Sequence, residues 1–164
     1  MIAEKPRSTP RDLFLHLFSL IGLITSASSL IGAVFQLLNI SFPLDGLEGM
    51  NPESAREGAM MGLRASLSSL VVFFPAYAWS VWYMEKTFRL DPTRRMVGIR
   101  KWLTYFTLFV AALVILGNLV VVINYLLNGE TTLRFLLKAL TVLAVAGGII
   151  WYYLGALKRY ATNQ

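Results

Sequence analysis

More than half of this 164-residue chain is hydrophobic, and few of its side chains are charged. Hydrophobic residues make up 56% and charged residues 15%, whereas soluble domains have about 25% charged residues. A soluble fold of this length cannot bury so much apolar surface, so residues 1–164 are predicted to form a single transmembrane domain. The absence of cysteine excludes disulfides and thiolate metal sites. The net charge of +6 lies beside hydrophobic segments, which favours anionic lipid and argues against nucleic acid as a partner.

Four hydrophobic segments are long enough to cross a bilayer as α-helices, because a helix needs about 20 apolar residues to do so. The predicted spans are residues 13–40, 59–84, 102–127 and 133–154. Capping residues followed by proline predict three helix starts, at Thr9-Pro10, Asn51-Pro52 and Asp91-Pro92. Thr131 or Thr132 can cap the fourth helix.

Basic residues flank these spans unevenly. Most lysines and arginines fall on one side, including those of segment 86–101, while the loop between the first two spans is acidic. Because basic loops remain in the cytoplasm, both termini are predicted to be cytoplasmic. Segment 86–101 is also predicted to attract anionic lipid.

The first and third spans align without gaps, and so do the second and fourth. The halves 11–90 and 100–160 are therefore predicted to be similar helical hairpins, related by a pseudo-two-fold axis along the membrane normal. Chance similarity between apolar sequences is the alternative. The predicted fold is an all-α integral membrane protein, a four-helix transmembrane bundle built from two similar hairpins. The matching segments include Leu37-Leu38-Asn39 with Leu126-Leu127-Asn128 and Leu63-Arg64 with Leu133-Arg134.

Small side chains recur along the first span at three- and four-residue spacing, which places them on one helix face. Lipid provides no hydrophobic drive for helices to associate, so close contacts between small residues must provide it. This stripe is predicted to face the bundle interior, and a stripe facing another subunit is the alternative. Its members are Ser19, Gly22, Ser26, Ser29 and Ala33.

Several segments mix aromatic, charged and small residues in a way that resembles a bacterial family of four-span proteins, described as domain of unknown function 5671. They are RKWLTY at 100–105, TLFVAALVI at 107–115 and TLRFLLK at 132–138, with RDLFL at 11–15 and FQL at 35–37. The resemblance covers nearly the whole chain. It implies the fold and a prokaryotic membrane, so the bacterial cytoplasmic membrane is the expected location. It implies no activity.

Four polar residues lie deep in the predicted spans: Gln36, Tyr77, Asn118 and Asn124. They are predicted to form interhelical hydrogen bonds as an intramembrane polar network. Asn118 stands where the family resemblance implies aspartate. No carboxylate lies deep in a span, which argues against a proton-driven or cation-driven transporter.

Three cations are the candidate site residues: Arg64, Arg134 and Lys138. The first two are predicted at the outer membrane boundary, with Lys138 one turn deeper on the Arg134 face. They could form an outer site for an anion or a lipid headgroup. The alternatives are that the side chains snorkel to the interface or pair with Glu57 or Glu130.

His16 is the only histidine, and a haem in a helical bundle usually needs two axial ligands. We therefore expect His16 to have a packing or interfacial role, and we predict no catalytic residue, metal or cofactor. The expected function is a non-catalytic accessory, stabilising or partner-binding membrane subunit, present as a homo-oligomer or in a larger complex. An oligomeric channel or carrier for a small solute or anion is the alternative, followed by a haem- or quinone-associated electron-transfer subunit.

Overall fold

The computed structural model describes residues 10–42, 51–90, 98–128 and 132–161. These residues form α1 (Pro10–Ser41), α2 (Pro52–Leu90), α3 (Gly98–Leu127) and α4 (Leu133–Ala161). Each helix contains a segment long and apolar enough to cross a membrane. The prediction of an all-helical chain with four candidate membrane spans is therefore confirmed.

Helix starts follow the predicted capping signals where the structure describes them. Pro10 and Pro52 are the first residues of α1 and α2, since proline suits a position whose N–H needs no helical partner. The Asn51 side-chain oxygen accepts a hydrogen bond from the Glu53 N–H at 3.2 Å. Thr132 caps α4 by accepting a bond from the Phe135 N–H at 3.4 Å. The predicted start at Asp91-Pro92 lies outside the described residues.

Helices α1 and α2 form an antiparallel pair held by contacts along their whole length. At one end the Arg11 guanidinium donates to the Tyr83 hydroxyl at 3.3 Å. Farther along, a Cβ built on Gly22 would lie 3.2 Å from the Tyr77 Cβ. A side chain larger than hydrogen at this position would require the two helices to shift by a few tenths of an ångström.

Helices α3 and α4 form the second antiparallel pair, with fewer specific contacts. The Asn118 side chain donates to the Ala139 carbonyl at 3.1 Å. Nearer the α3–α4 connection, the rings of Tyr125 and Phe135 stack with centroids 4.2 Å apart. An aromatic stack and one interhelical amide bond therefore align the two helices.

Helix α1 is the central element, because it packs against all three other helices. Within an 18-residue apolar window of its candidate span, 33% of the residues are buried, compared with 6% for α2 and 11% for each of α3 and α4. The buried core residues are small, as close helix packing in lipid requires. They are Ala33, Ala59, Ala111, Ala139 and Ala146, with Ser19, Ser26, Ser29, Ser80 and Thr107.

The antiparallel pairs give the molecule two distinct ends. The termini end contains Arg11 and Tyr83, where α1 begins and α2 finishes. The hairpin end contains Asn39 and Lys138, where α1 finishes and α4 begins. The candidate cations Arg64, Arg134 and Lys138 all lie toward the hairpin end.

Candidate functional site

A chain of polar side chains joins α1 to α4 at the hairpin end. The Lys138 ammonium donates a hydrogen bond to the Asn39 side-chain oxygen at 2.7 Å. The Asn39 amide in turn donates to the Gln36 side-chain oxygen at 3.0 Å. This Lys138–Asn39–Gln36 chain connects residues of α1 and α4 that are far apart in sequence.

Two neighbours shape the surroundings of this polar chain. A Cβ built on Gly62 of α2 would lie only 2.7 Å from the Gln36 side-chain nitrogen, so the glycine leaves the space that Gln36 occupies. On the other side, the Phe35 ring centroid is 5.5 Å from the Lys138 ammonium. This distance is within the range of a cation–π contact.

The three candidate cations occupy different surroundings. Lys138 and Arg134 are half-buried on successive turns of α4, whereas Arg64 on α2 is exposed. Within the described residues, no ion pair joins Arg64 to Glu57, and Glu130 lies outside them. Lys138 thus belongs to the polar chain with Asn39, and a shared anion site with both arginines stays a prediction.

The four predicted intramembrane polar residues make hydrogen bonds at separate places. Gln36 joins the chain at the hairpin end, and Asn118 reaches the Ala139 carbonyl between α3 and α4. The Tyr77 hydroxyl is hydrogen-bonded to Tyr153 toward the termini end. Asn124 accepts a bond at 3.0 Å from Asn128, the residue that follows its own helix. In the part of the chain that the structure describes, these hydrogen bonds do not link the four residues into one network.

The small-residue stripe of α1 lies inside the structure. All five of its members are buried, and Gly22 lies close to Tyr77 of α2. The Ser26 hydroxyl is buried and has no hydrogen-bond partner among the described residues. The stripe is therefore a packing surface with one unsatisfied polar atom.

An open cleft of about 730 Å³ lies between α2 and α4, which are joined by Tyr77 and Tyr153, with α1 as its floor. Its lining is largely apolar, with Leu23 and Leu30 of α1 at the base. Tyr77 and Tyr153 contribute hydroxyl groups, and Glu85 lines the cleft near the termini end. A mostly apolar, elongated opening of this kind suits an acyl chain or another helix rather than a polar metabolite.

Small residues of α4 line this cleft without contacting another helix of the chain. Ala144 and Gly148 are both exposed and both line it. A Cβ built on Gly148 would meet nothing within 4 Å among the described residues, and the same holds for its neighbour Gly147. The α4 wall of the cleft therefore carries two small residues one turn apart, Ala144 and Gly148.

A smaller cavity of about 160 Å³ lies where α1, α3 and α4 meet. Ile24, Ala27, Thr107, Ala111 and Ala146 are among its lining residues. The lining offers little polar chemistry, so we regard the cavity as a packing space between helices.

The remaining candidates are His16 and the basic segment 86–101. His16 is half-buried in α1 and its Nε2 atom is buried. Among the described residues, no group of three or more histidine, cysteine or acidic side chains could hold a metal ion. Lys86, the first residue of the predicted lipid-binding segment, lies with its ammonium 5.2 Å from the Trp82 ring centroid. Residues 91–97 of that segment lie outside the described residues.

Sequence reasoning missed the residues that connect Lys138 to the rest of the protein. Asn39 is predicted from the sequence only as part of the repeat. A second amide three residues after Gln36 is the sequence signal that could have identified it as a site residue. Phe35 and Gly62 gave no comparable signal, because their importance depends on which helices are neighbours.

Comparison with known proteins places these features in a family context. The family described as Domain of unknown function (DUF5671) matches residues 12–153. The match covers most of the chain, including Gln36, Asn39 and Lys138 of the polar chain. No curated protein and no solved structure matches the chain.

Proposed function

Because the chain belongs to the family described as Domain of unknown function (DUF5671), which supplies no activity, we propose a function from its own residues. The protein is a non-catalytic, partner-binding subunit of a membrane complex. It receives a transmembrane helix of the partner subunit in the cleft between α2 and α4. The observation that supports this proposal is the open cleft of about 730 Å³ with an unoccupied small-residue surface on α4.

The cleft has the properties of a helix-binding groove in lipid. Ala144 and Gly148 lie four residues apart on the α4 wall, which is the small-xxx-small spacing that lets helix backbones approach closely. The opposite wall belongs to α2, and only 6% of an 18-residue apolar window of its candidate span is buried within the chain. A partner helix would bury apolar and aromatic surface of α2 that the chain itself leaves open.

Neighbouring glycines of α4 provide a matched test. Gly148 lines the cleft and Gly147 does not, yet neither has a neighbour among the described residues within 4 Å of its Cβ position. Gly148→Leu should therefore leave the fold of the isolated chain intact and remove the partner from complexes purified in lipid nanodiscs. Gly147→Leu should leave the mass of the complex unchanged.

A photoreactive amino acid in place of Gly148 identifies the occupant of the cleft. The supporting result is an adduct that maps to a transmembrane helix and is absent when the same group replaces Gly147. Adducts with lipid alone would show that acyl chains fill the cleft and would end the proposal. An adduct with a second copy would assign the partner helix to the chain itself, which an oligomeric channel or carrier would also require.

We also propose that both termini face the cytoplasm of a bacterium and that segment 86–101 contacts anionic lipid. The uneven distribution of lysine and arginine supports this orientation. In intact cells an impermeant thiol reagent should label Glu48→Cys and not Thr93→Cys, with no background because the chain lacks cysteine. Labelling in the reverse pattern would contradict the orientation.

The internal repeat is part of the same proposal. It is supported by the two antiparallel pairs, α1 with α2 and α3 with α4, which follow one another along the chain. Under this proposal the two pairs are related by an axis along the membrane normal, and the protein needs no cofactor.

A further inference from the structure

The hairpin end carries positive charge that the described residues do not neutralise. Lys138 and Arg134 both lie within the candidate span Leu133–Gly155. The first turn of α4 contains no acidic residue, and no ion pair joins either cation to a described carboxylate. A cation at such a position raises the free energy of the protein in lipid unless an opposite charge or water compensates it.

The Lys138 ammonium is fixed in place but keeps hydrogen-bonding capacity. A lysine ammonium has three N–H donors, and one of them is directed to Asn39 at 2.7 Å. The Phe35 ring 5.5 Å away stabilises the charge without accepting a conventional hydrogen bond. Donors therefore remain for an oxyanion next to the polar chain.

Asn39 is oriented to accept the Lys138 hydrogen bond by its contact with Gln36 and, through Gln36, by α2. Its amide nitrogen donates to Gln36, so its oxygen is the group left to receive Lys138. Gln36 is in turn held in the space that Gly62 leaves open. Contacts that reach α2 thus determine where the Lys138 ammonium lies.

We propose that Lys138 and Arg134 bind a phosphate oxyanion at the hairpin end, with Asn39 as the positioning residue. The two cations lie four residues apart on one face of α4. Arginine offers a planar fork of donors and lysine a point charge, a combination that suits phosphate oxygens. The phosphate belongs to an anionic lipid or is free in solution. This site is separate from the cleft, so it does not depend on the proposed function.

Lipid retention by the purified full-length chain tests the site. The chain is taken from vesicles of equal phosphatidylglycerol and phosphatidylcholine, and the bound lipid is weighed by native mass spectrometry. Lys138→Gln should reduce phosphatidylglycerol retention about tenfold, since it removes a charge-assisted hydrogen bond. Lys138→Arg should preserve retention. Arg56→Gln removes the same charge from an exposed position of α2 and should have no effect.

A second arm distinguishes lipid phosphate from free phosphate. Inorganic phosphate is added to delipidated protein in detergent, and the melting temperature is followed in the wild type and in Lys138→Gln. Stabilisation of the wild type alone would assign a free phosphate, whereas phosphatidylglycerol retention without stabilisation by phosphate would assign the lipid. If the two proteins match in both arms, the site is overturned.

Asn39→Asp keeps the proposal testable if Lys138→Gln fails to fold. Aspartate has nearly the shape of asparagine and would give Lys138 a carboxylate partner at the same position. The expected result is a variant that still folds, because the new bond to Lys138 offsets the lost Asn39 donor to Gln36, together with loss of phosphatidylglycerol and phosphate binding. A purely structural role of the polar chain would leave binding unaltered in this variant, and that outcome would reject the proposal.

Discussion

Glycines mark the closest contacts in one helix pair of this protein and open positions in the other. Between α1 and α2, Cβ atoms built on Gly22, Gly32 and Gly62 would lie 3.2, 2.9 and 2.7 Å from atoms of the opposite helix. In the α3–α4 pair, Cβ positions have no neighbour within 4 Å among the described residues. These glycines are Gly117, Gly147 and Gly148.

This difference shows that placement in lipid and close packing between helices are separate properties, which hydropathy alone does not distinguish. Helix α3 has the most hydrophobic candidate span, yet only 11% of an 18-residue window of that span is buried. Apolar character selects the segments that lie in lipid, while small residues select the faces where backbones can approach. A glycine on a membrane helix that no internal neighbour covers is therefore informative about partners outside the chain.

The strongest test of this contrast replaces one glycine from each pair with leucine. Gly22→Leu would force a side chain against the Tyr77 Cβ and Cα, at 3.2 and 3.4 Å from the new Cβ. Overpacking of this kind costs about 1–3 kcal/mol. Reversible unfolding in mixed micelles should show this loss for Gly22→Leu and essentially none for Gly147→Leu.

The control removes the effect of helix propensity, since both changes replace glycine by leucine within a helix. Equal losses in the two variants would mean that the close contact at Gly22 does not stabilise the α1–α2 pair. In that case the contrast between the pairs would have no energetic meaning.

The next largest loss of stability is expected from Gly62→Ala, which fills the space that Gln36 occupies. In Gly62→Ala the new Cβ would lie 2.7 Å from the Gln36 side-chain nitrogen, so that side chain must move. Displacing it disturbs the bond to Asn39, and we expect a loss of about 1 kcal/mol, the typical net value of a hydrogen bond. Chemical denaturation of the micellar protein measures the loss.

Gly58→Ala is the matched control for this change, one turn earlier on α2. Its Cβ would meet nothing within 4 Å in the described ranges, so the gain in helix propensity should appear alone. If Gly62→Ala were as stable as Gly58→Ala, Gln36 would have room to adapt and the polar chain would not depend on Gly62.

The sequence predicted local features well, because they depend on residues close together along the chain. The four spans and the starts at Pro10 and Pro52 follow from hydrophobic length and capping chemistry. The bond between Lys138 and Asn39 could not be predicted in this way, because it requires α1 to lie beside α4. Nothing in the spacing of either residue specifies that neighbour. The cleft is likewise a property of how the helices diverge.

A smaller effect is expected in the α3–α4 pair, which relies on Asn118. Asn118→Ala removes the 3.1 Å bond to the Ala139 carbonyl. Interhelical hydrogen bonds in membrane proteins contribute about 0.6 kcal/mol on average, so we expect a loss of that size in thermal unfolding. Asn124→Ala removes only a bond to Asn128, which follows the same helix, and it should leave the α3–α4 contact unchanged. A larger loss for Asn124→Ala would reverse our assignment.

The smallest effect belongs to the contact of Arg11 with Tyr83 at the termini end. The guanidinium donates to the Tyr83 hydroxyl at 3.3 Å and lies 5.9 Å from the ring centroid. Because the bond is exposed, water competes for both groups, and Arg11→Gln should lower the free energy of unfolding by about 0.5 kcal/mol. Tyr83→Phe keeps the ring and removes the hydroxyl, so a double-mutant cycle in detergent separates the two contributions. Any loss of stability that Arg11→Gln still causes in the Tyr83→Phe background would come from the contact with the ring. Coupling well above 1 kcal/mol would mean that the termini end excludes water, and the α1–α2 pair would then be tightly packed at both ends.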